Sequence, residues 1–190
     1  MSDQLTKDSL QDQAINFLKN NKKLLLLTFI SILILAISFV FYKNFQEKKD
    51  TKIAEKYTQA SIFLSQKKNN EAKIFLEDVI DNNHEFYSPL ALYLIIDKGL
   101  ESNSKKIISY FDLIIEKSSL DKESKNLIKI KKALYLFSLD NESLIIDTLN
   151  PIINSNSVWK NQAINLLADY FLSKGEKLKA NEYYKLLSAK

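Results

Sequence analysis

The apolar and polar positions of this chain show one dominant feature. Nineteen residues, Leu24 to Tyr42 (LLLLTFISILILAISFVFY), run without a charge, Gly or Pro, with lysines on both sides. As a helix rising about 1.5 Å per residue this segment would reach roughly 28 Å, close to the hydrocarbon thickness of a bilayer. Its polar members are Thr28, Ser31 and Ser38, and each hydroxyl can return to a backbone carbonyl within the helix. A helix apolar on every side belongs in a membrane or deep inside a much larger protein. The pattern therefore predicts one transmembrane helix over residues 24–42. A cleaved secretory signal would have an apolar region of about 7–15 residues ending in small side chains. This run is longer and ends Phe39-Val40-Phe41-Tyr42-Lys43, so an uncleaved anchor is expected.

Residues 1–23 form a tail in which Leu10, Ala14, Ile15 and Leu18 share one helical face, with Asp8 or Ser9 as a start signal. A short amphipathic helix on the membrane surface and a plain tail both satisfy that pattern. Residues 43–52 are a charged connector that either continues the membrane helix or joins it through a brief break. From residue 53 to 190 a different pattern takes over and recurs. In YTQASIFLSQKKNNEAKIFLEDVI, Ala60 and Ala72 lie twelve residues apart around a polar break at residues 67–70. Ala168 and Ala180 repeat the interval around Lys174-Gly175-Glu176, and Ala133 and Ile145 take the two positions in a third copy. A looser fourth begins at Ala91.

Each copy reads as a helix, a turn and a helix packed antiparallel. Small residues at the crossing let the backbones approach, and large apolar residues surround them. Stacked units share a core that none could bury alone. The first-helix alanines are separated by 31, 42 and 35 residues, an irregular interval near that of helical repeats. Pro89 and Pro151 are expected where helices begin or end. Two Gly and two Pro in 190 residues leave little material for tight hairpin turns between strands. The expected class is all-α: one transmembrane helix followed by a solenoid of about four irregular helical hairpins over residues 53–190.

Composition narrows the partners. All 27 basic residues are lysine, and bidentate recognition of phosphate or guanine favours arginine, so sequence-specific nucleic-acid binding is not expected. From Thr51 onward 20 Lys face 18 acidic residues, a slight excess and not a basic stripe. The absence of cysteine removes disulfides, thiolate metal sites and lipoprotein attachment, and fits either side of a membrane. Lysines do not settle orientation. Lys19, Lys22 and Lys23 precede the span, while Lys43, Lys48, Lys49 and Lys52 follow it.

The repeats resemble the tetratricopeptide repeat in degenerate form. Its sequence of small residue, aromatic, turn Gly, Ala and aromatic is met by Ala168, Phe171, Gly175, Ala180 and Tyr184. The first copy supplies Ala60, Phe63 and Ala72 but has Lys67 at the Gly position, and the third has Asp140 there. The order of parts is similar to the YfgM-like family of Gram-negative bacteria. Val158-Trp159-Lys160 through Tyr184 is the stretch most similar to the alphaproteobacterial branch, with Ser157 and Lys160 replacing the Pro and Arg of a Pro-Trp-Arg triplet. The resemblance implies a bacterial inner-membrane protein with a cytoplasmic N-terminus and a periplasmic repeat domain. It further implies contact with the Sec translocon and periplasmic chaperone components, and carries over no catalytic residue.

Candidate chemistry is sparse. His84 is the only histidine, so a multi-histidine metal site is excluded and any Ser-His-Asp triad would depend on it. It reads as a solvated loop residue. Glu77, Asp78 and Asp81 read as a solvated helix face. Trp159, the only tryptophan, either fills the seam between hairpins or anchors an interface. The doublets Phe86-Tyr87, Tyr110-Phe111, Tyr170-Phe171 and Tyr183-Tyr184 suggest one ring in the core and one beside a groove. Repeat domains of this type bind peptides along the face of their first helices. In register with the alanines that face would include Tyr57, Ser61, Leu92, Leu134, Asn165 and Asp169, with Trp159 as a candidate anchor. The expected function is a membrane-anchored protein–protein interaction module, ancillary to the translocon and to chaperoning of secreted chains. A scaffold for envelope assembly or cell division is the alternative, and a membrane-bound hydrolase a remote one. No enzyme activity, cofactor or small-molecule substrate is expected.

Overall fold

A computed structural model describes residue 17 and residues 21–188; the amphipathic helix expected over residues 2–21 lies almost wholly outside them. The described residues are helical, without a strand. They form α1 (Lys22–Ser65), α2 (Asn69–Asp81), α3 (Tyr87–Asp97), α4 (Ser104–Lys117), α5 (Lys122–Ser138), α6 (Glu142–Ile153), α7 (Lys160–Ser173) and α8 (Lys177–Ser188). The chain divides into two compact units, and the boundary, between Thr51 and Lys52, falls inside α1. Residues 43–52, expected as a connector, are helical.

In the first unit, α1 is long and apolar enough to cross a membrane, with a mean hydropathy of 2.9 over its most apolar window. None of that window is buried by the protein. Ser31 donates its hydroxyl to the Leu27 carbonyl at 2.9 Å, which internalises its polarity as a bilayer requires.

The second unit is a stack of four hairpins: the end of α1 with α2, α3 with α4, α5 with α6, and α7 with α8. The repeat alanines mark the crossings. Ala60, Ala72, Ala91, Ala133 and Ala168 have no exposed surface, and neither has Ile145 in the third copy. One core joins the first two hairpins and includes Ile53, Leu76, Leu92, Phe111 and Ile128. The other joins the last two and includes Ile130, Leu149, Leu167, Tyr170 and Phe171. Both rings of Tyr110-Phe111 and of Tyr170-Phe171 are buried, in place of the one-in, one-out arrangement expected. Helices with neighbours on both flanks bury a wide arc, and adjacent rings both fall within it. Pro89 sits in the first turn of α3, where a missing N–H costs little, whereas Pro151 lies inside α6, two residues before its end, and removes one N–H from the helix's own ladder.

All four hairpins turn in one way. The residue after the C-cap adopts the left-handed conformation: Lys67 (φ 59°), Gly99 (φ 60°), Asp140 (φ 55°) and Gly175 (φ 78°). In each case the following N–H reaches back to a carbonyl five residues earlier, at 2.9–3.3 Å. These are Schellman caps. Only two of the four use the residue for which that backbone is free of strain.

Side chains stitch neighbouring hairpins together. Glu101, in the α3–α4 turn, is ion-paired with Lys73 of α2 at 2.8 Å and Lys106 of α4 at 3.5 Å, and its side chain is only 8 % exposed. Lys106 also meets Glu77 at 2.9 Å. Glu77 and Asp78, expected as a solvated face, are thus in ion pairs, Asp78 with Lys56 of α1 at 2.5 Å. Asp140 accepts from Tyr170 at 2.9 Å and pairs with Lys174 at 2.5 Å, tying the third turn to α7.

Two outcomes follow from these turns. Lys67→Gly should stabilise the full chain by up to ~1 kcal/mol, because relief of left-handed strain outweighs the added freedom of the unfolded chain. Asp140→Gly relieves the same strain but surrenders the contacts with Tyr170 and Lys174, so it should gain less or lose stability. Urea titration of the detergent-solubilised protein, followed by helical circular dichroism, separates the two. The second concerns acid. The hydrogen bond from Lys73, then that from the Asn103 N–H, hold the Glu101 carboxyl down at about 2, against 4.5 ordinarily. A carboxyl depressed on folding stabilises above its unfolded pKa and loses that contribution as pH falls toward its folded one. The urea midpoint should therefore drop between pH 4.5 and 2, and Glu101→Gln should flatten that part of the profile.

Candidate interaction groove

A candidate surface for a partner is built by first helices. Both α3 and α5 pack on α4 and flank a groove of about 490 Å³. Tyr93, Ile96 and Asp97 come from α3, and Lys131, Leu134, Tyr135 and Ser138 from α5. The α5 residues at i, i+3, i+4 and i+7 share one face of the helix. The groove is floored by Phe111 of α4, whose ring lies 6.2 Å from that of Tyr135. Burial pushes the Tyr93 phenol up to about 12. One carboxylate and one ammonium stand at the edges. Such a lining suits an apolar side chain on a peptide, with hydroxyls to meet its backbone.

Of the residues expected on the binding face, Leu134 lines this groove and is 44 % exposed. Leu92 does not: it is wholly buried in the core of the first two hairpins. The segment YSPLALYLIID is apolar on most sides, so its period does not say which flank meets the core and which the groove. Tyr57 is half-buried with its ring 5.7 Å from Tyr87. Ser61 is exposed and donates to the Tyr57 carbonyl at 3.2 Å. Asn165 is half-buried, and Asp169 accepts from Tyr184 at 2.6 Å. Trp159 packs half-buried against the core of the last two hairpins. These side chains do not converge on one site. Tyr93, Ile96, Phe111 and Tyr135 were legible only as apolar helix positions, since the groove arises from three helices whose spacing no local pattern states.

His84, expected in solvent, caps the start of α3. Its Nδ1 accepts from the Phe86 N–H at 3.0 Å and from the Tyr87 N–H at 3.2 Å. Among the described residues no three His, Asp or Glu side chains gather as a metal site requires. A second groove, of about 410 Å³, lies between second helices α6 and α8. There Phe171 stacks on Tyr183 at 5.6 Å and Lys179 sits 4.8 Å above the Phe171 ring. No protein-family model, curated protein or solved structure matches the chain.

The placement of the two leucines yields a contrast. Leu92→Ala should cost ~2–5 kcal/mol in urea unfolding, as buried truncations do, while Leu134→Ala should cost under ~1 kcal/mol. Equal losses would mean that Leu134 is part of the core and not of a free groove.

Proposed function

We propose that this protein is a single-pass, membrane-anchored module for protein–protein contact, of the YfgM-like type, with its N-terminus cytoplasmic and its hairpin domain in the periplasm of a Gram-negative cell. Its partners in this reading are the Sec translocon and periplasmic chaperone components. It receives or stabilises secreted chains as they emerge. The observation that supports it most is the groove between α3 and α5, an apolar cleft with hydroxyl rims on a stack of tetratricopeptide-like hairpins. The apolar segment of α1 supplies the anchor. The mechanism is tethering: confinement near membrane complexes raises the effective concentration of the domain, so weak contacts suffice.

A photo-crosslinking residue at position 134 in cells tests the partner, since that side chain lies in the groove without supporting the core. Adducts with translocon or chaperone components are expected. Adducts confined to division or outer-membrane assembly proteins would move the assignment to an envelope scaffold. Protease added to spheroplasts should digest residues 52–190. Protection of that part would reverse the topology.

A further inference from the structure

In the second unit the hairpin turns and the inter-hairpin loops lie on opposite edges. Along one edge, Glu101 of the second turn meets Lys73 near the start of α2, and Asp140 of the third turn meets Lys174 of the fourth. Along the other, Glu123 at the start of α5 accepts from the Ser157 hydroxyl at 2.5 Å and the Val158 N–H at 3.2 Å, and Asn126 donates to Ser157 at 3.0 Å. These bonds place the α6–α7 loop beside the α4–α5 loop. Alternation of antiparallel helices puts the α2–α3 loop on the same edge. Lys52 is on it too, because α1 runs from there to the turn at Lys67.

This loop edge displays Phe86 at 60 % exposure and Val158 at 78 %, with Trp159 half-buried beside Val158. Phe86 and Val158 belong to neither core, while Trp159 packs partly against that of the last two hairpins. Asp81, Glu85 and Asp121 balance Lys117, Lys122 and Lys160 along the edge, so it is not an electrostatic patch. The turn edge also exposes leucines, Leu139, Leu172 and Leu178, but it stands a helix length, roughly 20 Å, from Lys52. Residues 43–52 number ten. Whatever their path, Lys52 lies within about 35 Å of the end of the apolar run.

We infer that the loop edge is a lipid-contacting surface: Phe86 and Val158 enter the interfacial layer of the bilayer that anchors the chain, with Trp159 at headgroup level. The inference rests on reading residues 24–42 as a span. A tether this short holds the edge at an effective concentration of ~mM near the bilayer, so two apolar side chains and an indole suffice without a charged patch. Indole rings favour that layer because one face is apolar and the N–H is polar. The balanced charge makes the contact indifferent to salt and to anionic lipid.

Trp159 is the chain's only tryptophan and reports on the contact directly. Full-length protein is reconstituted in protein-free vesicles of phosphatidylcholine, with and without phosphatidylglycerol, carrying bromine near the headgroup end of the acyl chains. Trp159 emission should shift to the blue and lose intensity to bromine equally in both lipids and at high salt. The doubly substituted Phe86→Ser, Val158→Ser protein should recover the intensity while keeping its helical dichroism and melting temperature. If that protein fails to fold, Val158→Asp alone carries the comparison. Emission indifferent to brominated lipid, or quenching that survives the substitutions, overturns the inference. Unquenched Trp159 together with crosslinks from position 86 to a protein in cells overturns it too, and assigns the edge to that protein. Co-flotation with vesicles after alkaline washing tests the span separately: a chain that washes off has lost the premise, and one that floats unquenched has lost only the docking.

Discussion

No hairpin of residues 52–190 can bury its own apolar surface, and that shortage organises the whole second unit. Two helices of about a dozen residues cover one flank of each other and leave the other to a neighbour. The helix on which this dependence is clearest is α5. Ile128 belongs to the core shared with the first two hairpins, and Ile130, two residues on and so about 200° around the helix, to the core of the last two. One helix therefore fastens two cores, and its Lys132, itself nearly buried, pairs at 2.6 Å with Asp112 of α4, whose side chain is 46 % exposed. Water at the half-exposed carboxylate screens the attraction, so the pair adds little net stability, but removing Asp112 would leave the nearly buried Lys132 ammonium without it.

Uniform turns make this stacking possible from irregular sequence. Three of the four hairpins are joined by three residues, with a left-handed residue at the same place in each. The cap fixes where the second helix starts, and the alanines then let the two backbones close. Gly99 and Gly175 take the left-handed conformation at no steric expense, while Lys67 and Asp140 hold it because the surrounding bonds require it. At Asp140 the carboxylate has a second use, in receiving Tyr170 and Lys174 from the next hairpin. The strain at that turn is thus offset by a link that a glycine could not make.

The apolar run of α1, the helical class and the four crossings were legible because they are local. Composition and twelve-residue intervals between small residues specify helices, turns and which face is crowded. The groove was only partly legible. Leu134 was placed on it by register with Ala133, but the same rule placed Leu92 on it through Ala91, and α3 is too evenly apolar for register to decide. Glu77, Glu101 and Lys106 resisted for another reason. The partners that tie one helix to another lie 28 and 29 residues away, and nothing local marks a lysine as paired. His84 looked like loop filler because imidazole is an uncommon cap, although its position three residues before Tyr87 is where a capping acceptor belongs.

The irregularity that blurs the repeat is also what produces the groove. The longest interval between first-helix alanines, 42 residues, runs from Ala91 to Ala133, across the two helices that flank it. Part of the excess is the α3–α4 turn, six residues where the other hairpins use three. Those extra residues include Glu101, which binds back to Lys73, and Asn103, whose side chain caps α4 at 3.0 and 3.3 Å from the Lys105 and Lys106 N–H groups. The longer turn is therefore held firmly, and it lets α4 sit with Phe111 beneath the space between α3 and α5. A stack with identical intervals would bring successive first helices into even contact and close that space. Departure from the repeat is what gives a stack of packing elements a place to bind.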